Sequence, residues 1–152
     1  MKRKKLFNRL AVITLAIALV FSGYSIANNG PIAVIVNKDN PVQSLSENSV
    51  KKIYTNNVLR WPNGAPINIF DLAINDPLRE SFSEKVLGRS SRSIAEDWAH
   101  LKITNQAKNP PHTLKTQLHI LKKVSQDKSA IGYVSLSAAA ENPDVKIVTT
   151  LK

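Results

Sequence analysis

The sequence predicts an α/β fold in which helices flank a mixed, mostly parallel β-sheet. Short apolar runs rich in β-branched residues are spaced along the chain, and the first of them is Pro31–Asn37 (PIAVIVN). Such runs are typical of strands that are buried on both faces, as in sheets covered by helices. Segments with helical periodicity alternate with these runs, which favours parallel strands joined by helical crossovers.

The first 27 residues have the pattern of a secretory signal peptide. A basic start is followed by the apolar run 10–21, and small residues occupy the two positions, Ser25 and Ala27, that signal peptidase reads. We therefore expect cleavage after Ala27 and a periplasmic α/β domain of residues 28–152. The alternative is an uncleaved anchor, because the apolar segment is nearly long enough to span a bilayer.

Composition excludes several classes of protein. The chain has no cysteine, which rules out disulfides and a lipid-anchored lipoprotein. The N-terminal segment holds five of the 21 basic residues and none of the 11 acidic ones, so the remainder carries a net charge of +5. This mild charge fits small anions or an acidic partner and does not indicate nucleic-acid binding. Membrane contact is expected only through an uncleaved N-terminal segment.

The first half of the domain predicts a helix and a second strand. Ser44–Glu47 (SLSE) has the spacing of a capping box and opens a helix that runs to about Tyr54. A turn at Asn63–Gly64 follows, because this dipeptide favours positive φ angles. Ile67–Phe70 is then the second buried strand.

Two further helices follow that strand. Asp76 is a suitable N-cap, Pro77 occupies the first helical position, and Gly88 ends the helix. The next helix begins near Ser90 or Ser91.

The remaining chain predicts two helices and two strands. In order, these are a helix over 113–125 with Leu114, Leu118, Leu121 and Val124 on its apolar face, a strand over Ala130–Val134, a short helix over Leu136–Ala140 and a last strand over Val145–Thr149.

Nine short motifs follow one another along the chain. They are Asn37–Pro41, Val50–Tyr54, Arg60–Trp61, Asn63–Gly64, Leu78–Arg79 with Phe82, Val86–Gly88, Trp98, Pro110–Pro111 and Ala130–Tyr133. Together they resemble the phosphate-type solute-binding proteins of ABC transporters, over about Ile32–Ala139. The resemblance implies a single periplasmic-binding-protein-like lobe of type II. Full-length members of that family clamp their ligand between two lobes, whereas 125 residues supply one.

The segment Ala73–Arg79 (AINDPLR) departs from the phosphate binders that the chain resembles. In those proteins an Arg precedes a Ser-Gly-Thr step that holds the oxyanion at a helix start, where free N–H groups favour negative charge. Here Pro77 removes one donor and Asp76 places a carboxylate where the phosphate would lie. Arg79 is able to bind an anion or to pair with Asp76. A structural cap and an anion site both stay open, and the cap is favoured.

Candidate contact residues fall into two groups. The ligand-binding candidates are Ser44, Ser46, Asp76, Arg79 and Tyr133, which come from two predicted helix starts and from a strand end that lies near the cleft in the resembled fold. The partner-facing candidates are Trp61, Arg89 and Arg92. The last two join Arg79 and Lys85 in a basic face that is either solvated or a docking patch for an acidic partner or anionic lipid. Trp98 is expected in the core, whereas Trp61 is either packed or exposed.

No catalytic or metal-binding motif accompanies these residues. His100 is spaced to face Glu96 or Asp97, but no paired His or Cys completes a metal site. Ser135 lacks the nucleophile-elbow pattern. We therefore expect no cofactor and no enzyme. The sequence favours a periplasmic solute-binding-like protein for phosphate or another small oxyanion, in ABC transport or sensing. The alternative is an envelope protein-interaction or sensory accessory module that has lost solute binding.

Overall fold

A computed structural model describes residues 30–152, and the predicted signal peptide lies outside the described residues. Five strands form the sheet: β1 (Ile32–Asn37), β2 (Asn68–Leu72), β3 (His112–Leu114), β4 (Ala130–Ser135) and β5 (Val145–Leu151). Their spatial order is β3-β2-β4-β1-β5. β2 is parallel to β3 and β4, whereas β1 is antiparallel to β4 and β5. Four strands therefore run one way and β1 runs against them, which confirms the mixed, mostly parallel sheet.

Helices connect and cover these strands. They are α1 (Glu47–Tyr54), α2 (Pro77–Phe82), α3 (Ser91–Ile103), α4 (Gln117–Gln126) and α5 (Leu136–Ala140). A short π-helix, Ser83–Leu87, prolongs α2 up to Gly88, whose φ of 73° ends the helix in the left-handed region as predicted. Within residues 30–152, no helix is long and apolar enough to cross a membrane.

Two consecutive residues of β4 show that helices cover both faces of the sheet. A Cβ on Gly132 would lie 2.6 Å from a side-chain carbon of Ile120 in α4, so any larger residue there would force α4 or the Ile120 side chain to shift. Tyr133 points the other way and stacks on Phe82 with ring centroids 3.9 Å apart. All six residues of β1 are buried beside β4. The predicted doubly covered strands are confirmed.

The prediction for the third quarter of the chain was partly wrong. Leu114 does not begin a helix, because it pairs with Leu72 in the short strand β3. α4 starts at Gln117 behind the N-cap Thr116. Leu118 is 73% exposed, and the inner face of α4 carries Ile120, Leu121 and Val124. The leucine spacing continued the helical periodicity one turn too far towards the N-terminus.

Candidate functional site

The end of the sheet at which β2, β3, β4 and β5 finish is called here the carboxyl edge. The chain leaves β2 towards β3 on one side and leaves β4 towards β5 on the other. Connections that diverge in this way open a crevice between β2 and β4, and open α/β sheets bind ligands at such a switch point. The loop Ala73–Asp76 after β2 and Ser135 at the end of β4 lie there.

The start of α2, at this crevice, is capped by the chain itself. An Asp76 carboxylate oxygen accepts the Leu78 N–H at 2.8 Å, and the Asp76 carbonyl accepts the Glu80 N–H at 3.1 Å. Pro77 has no N–H to donate. Asp76 is therefore the structural cap that the sequence favoured.

The start of α3 also receives a carboxylate from within the chain. Glu80 accepts the Ser91 N–H at 2.9 Å and lies within hydrogen-bond distance of the Ser91 hydroxyl. These two donors lower the pKa of Glu80 below its ordinary value, because they favour the ionised form. Ser90 caps the helix by accepting the Ser93 N–H at 3.2 Å. Two neighbouring helix starts thus hold the chain's own carboxylates.

A surface cavity of about 390 Å³ lies between these two helix starts. Its lining consists of Ile74–Pro77, Glu80 and Ser90–Arg92. Asp76 and Glu80 contribute two carboxylates to it, and Arg92 contributes the only cation of the lining. A free oxyanion would therefore meet more negative than positive charge in this cavity.

A buried ion pair lies beneath the crevice. Arg79 contacts an Asp71 carboxylate oxygen at 3.0 Å and donates to the Leu72 carbonyl at 2.7 Å. Asp71 accepts the Leu72 N–H at 2.8 Å and the Tyr133 hydroxyl, which is hydrogen-bonded to the carboxylate. Burial raises the pKa of Asp71 above its ordinary value, although Arg79 and the Tyr133 hydroxyl oppose the rise. Burial and the nearby carboxylate raise the pKa of Tyr133 well above its ordinary value.

The structure brings two of the five ligand-binding candidates together, but away from solvent. Arg79 and Tyr133 meet at Asp71, and their exposed fractions are only 6% and 0%. Arg79 therefore pairs with Asp71, and not with Asp76, which was one of the two alternatives left open by the sequence. Both side chains help to stabilise the interior of the lobe.

The serines before α1 lie apart from this group. Ser46 is the N-cap of α1, accepting the Ser49 N–H at 3.1 Å, whereas Ser44 is exposed and does not cap the helix. The predicted capping box therefore began two residues too early. Within the described chain, no hydrogen bond joins either serine to Asp76, Arg79 or Tyr133.

The partner-facing candidates differ in their exposure and in their contacts within the chain. Trp61 is 4% exposed and its indole N–H donates to the Ser129 carbonyl at 2.9 Å, so its interpretation as an exposed partner residue was wrong. Arg89 is exposed but forms an ion pair with Asp97. Arg92 is exposed at the start of α3. Only Arg92 combines exposure with a place at the carboxyl edge.

Sequence reasoning missed Asp71, Glu80 and Ser91 at this site. Asp71 interrupts an otherwise apolar strand, and a buried acid usually has a partner, which was an available signal. Glu80 and Ser91 are 11 residues apart, so their contact depends on how α3 folds back onto α2. Among residues 30–152, no group of three or more His, Asp or Glu side chains is arranged to hold a metal ion.

Comparisons with known proteins agree on the fold. A family model described as the PBP superfamily domain matches residues 28–150. A Clostridium perfringens structure, named as a phosphate ABC transporter substrate-binding protein with bound phosphate, is 24% identical with a TM-score of 0.61, and the match covers 79% of this chain and 45% of that one. An ABC-type phosphate transport receptor from Vibrio cholerae is 17% identical with a TM-score of 0.61, covering 79% and 46%.

A third similar structure, PstS from Borrelia burgdorferi, is 17% identical with a TM-score of 0.59, and the match covers 79% of this chain and 47% of that one. The chain therefore spans somewhat less than half the length of the structures that it matches. Identities this low show a shared fold, and a shared fold does not by itself set the ligand. A search of curated proteins gives no match.

Proposed function

Since this chain belongs to the PBP superfamily, we propose that it works in the periplasm as a non-enzymatic binding lobe whose carboxyl edge meets an acidic protein surface. In this proposal residues 1–27 are removed as a signal peptide and residues 28–152 form the functional domain. The role is that of an interaction or sensory accessory module.

The observation that carries the proposal is the occupation of both helix starts by internal carboxylates. In a lobe that holds an oxyanion, the N–H groups at a helix start and a nearby cation supply the attraction. Here Asp76 and Glu80 already accept such N–H groups, and Asp71 neutralises Arg79. An incoming phosphate would have to displace or repel these carboxylates.

The same edge presents features that suit a protein partner. Ile74, after β2, is 37% exposed, and Leu118, at the start of α4, is 73% exposed. Exposed cations accompany them: Lys85, Arg92, Lys115 and Lys152. At this edge the carboxylates of Asp76 and Glu80 are engaged with helix N–H groups, so the exposed charge beside these apolar side chains is mainly positive. Apolar side chains among such charges match an amphipathic surface of the opposite sign, so the partner is expected to be acidic.

A small oxyanion such as phosphate is the second candidate ligand. It is favoured by the similar structures, which are named for phosphate, and by Arg92, which lies beside Ser90 in the cavity of the carboxyl edge. This candidate requires that the positive potential of Arg92 and the helix starts outweighs the negative charges of Asp76 and Glu80.

Calorimetric and thermal-shift titrations with phosphate, at fixed ionic strength with chloride as control, separate the two candidates. We expect no saturable response from the unaltered protein. The double variant Asp76→Ser, Glu80→Gln should gain phosphate binding, because it removes two negative charges and keeps polar side chains at both positions. A saturable response of the unaltered protein, reaching about 2.7 kcal/mol of stabilisation at a hundredfold excess over its Kd, would establish the oxyanion candidate instead.

Photo-crosslinking in intact cells tests the proposed binding of a protein partner. A photoreactive residue at Leu118 should give one discrete adduct, and charge reversal by Arg92→Glu with Lys115→Glu should abolish it. Ile103 is a matched control, because it is 85% exposed but lies at the far end of α3. Equal adducts from both positions, or none from Leu118, would contradict the proposed surface.

A further inference from the structure

A second cavity, of about 450 Å³, lies beside the buried ion pair, between α3 and the ends of β2 and β3. Its residues include Asp71 and Arg79 at the floor, Ala95, Trp98 and Ala99 on α3, and Lys102 at the rim. The carboxylates of Asp76 and Glu80, which line the cavity of the carboxyl edge, are not part of this lining. The two cavities therefore differ in their charge.

Arg79, which lines this cavity, has a buried donor without an acceptor. Arg79 uses one terminal nitrogen for Asp71 and the other for the Leu72 carbonyl. Its Nε has no hydrogen-bond partner among the described residues. The side chain is also buried, since Arg79 is only 6% exposed. Buried donors are normally satisfied, so an unpaired one beside a cavity points to an acceptor that comes from outside the chain.

The charge of the cavity favours an anion. Asp71 and Arg79 are paired and contribute no net charge. Lys102 is exposed at the rim and forms no ion pair within residues 30–152. One positive charge therefore remains uncompensated at the mouth of the cavity.

The walls favour a ligand with an apolar body. Ala95 and Ala99 are one turn apart on α3 and leave space beside Trp98, which is 7% exposed. Pro111 adds another apolar surface across from the helix. Small-molecule sites combine such apolar walls with a few polar groups that fix the orientation of the ligand.

We propose that this cavity binds a small organic monocarboxylate with an aromatic or branched aliphatic body. The carboxylate lies between Arg79 Nε and Lys102, and the apolar body packs against Ala95, Ala99 and Trp98. The assignment goes beyond the protein-binding role of the carboxyl edge and does not depend on it.

A ¹⁹F-NMR titration of the purified protein with 4-fluorobenzoate tests the assignment. We expect a saturable change in the fluorine signal. 4-Fluorobenzyl alcohol, which has the same ring and no charge, and acetate, which has the charge and no ring, should bind at least about tenfold more weakly. Such a factor corresponds to about 1.4 kcal/mol.

Three variants locate the binding. Ala99→Phe fills the cavity from an exposed helix position and should raise the Kd about tenfold or more. Lys102→Ala should raise it severalfold, whereas Lys51→Ala, at an exposed position on α1, should leave it unchanged. The proposal is overturned if 4-fluorobenzoate gives no saturable change, if the alcohol binds equally well, or if Ala99→Phe binds as the unaltered protein does.

Discussion

Two arginine–aspartate pairs in this lobe have the same chemistry and opposite surroundings. Arg79 and Asp71 lie inside the lobe, with side-chain exposures of 7% and 8%. Arg89 and Asp97 lie on the surface, with exposures of 48% and 51%. In each pair the residues are eight positions apart in the sequence, so the spacing alone does not distinguish them.

The difference between the pairs shows that burial decides how much stability is lost when one partner of an ion pair is removed. The surface pair can exchange its contacts for water and ions at little cost. The buried pair cannot, and it is held by further hydrogen bonds from Tyr133 and Leu72 to the carboxylate. A buried charge without its partner is strongly unfavourable, whereas replacing both members of a buried pair by apolar residues of the same shape is often neutral or stabilising.

Breaking the buried pair should have the largest effect on stability. Arg79→Met keeps an unbranched side chain but leaves Asp71 without its cation. We expect the free energy of unfolding to fall by about 3–5 kcal/mol, because Asp71 must then be buried unpaired or take up a proton. Urea unfolding followed by circular dichroism measures this change.

The matched control removes both charges. Asp71→Asn in the Arg79→Met background should restore most of the lost stability, since no uncompensated charge remains. A double variant as unstable as Arg79→Met alone would contradict the view that burial of a lone charge causes the loss. In that case the packing of the Arg79 stem would be the main contribution.

Removing the charge of Glu80 should have an intermediate effect. Glu80→Gln retains an oxygen for Ser91 and loses only the charge at the start of α3, so the free energy of unfolding is expected to fall by about 0.5–1 kcal/mol near pH 7.

This effect of Glu80 should depend on pH. Because the pKa of Glu80 is lowered in the folded state, the stabilisation by its carboxylate is complete above the ordinary Glu pKa of about 4.3 and disappears as the pH falls through the lowered value. Unfolding curves of both proteins between pH 7 and pH 3 should therefore converge on acidification. A constant difference would show that the carboxylate's charge is not responsible.

Local signals in the sequence were sufficient for much of the fold. The apolar runs predicted β1 and β4, and the pair Asp76–Pro77 with Gly88 predicted both ends of the helical segment that contains α2. The strand β3 was missed, because its three residues, His112–Leu114, are too few and too exposed to form a recognisable apolar run. Leu114 then appeared to belong to the helix that follows.

The candidate site was less predictable than the fold, because its contacts are distant in sequence. Tyr133 reaches Asp71 across 62 positions, and this pairing depends on β2 and β4 lying side by side. Sequence spacing instead offered Asp76 as one alternative partner of Arg79, since residues three apart are neighbours on a helix. Asp76 is engaged with Leu78, and Arg79 points into the interior.

Breaking the surface pair should have the smallest effect on stability. Asp97→Ala is expected to lower the free energy of unfolding by less than about 0.5 kcal/mol, because Arg89 remains solvated and still contacts Ser93. Raising the NaCl concentration to about 1 M should abolish even this difference, since the screening length falls to about 3 Å. The Arg79→Met effect should persist in the same salt. If Asp97→Ala proved as costly as Arg79→Met, burial could not be what separates the two pairs, and the surface pair would have to fix the position of α3.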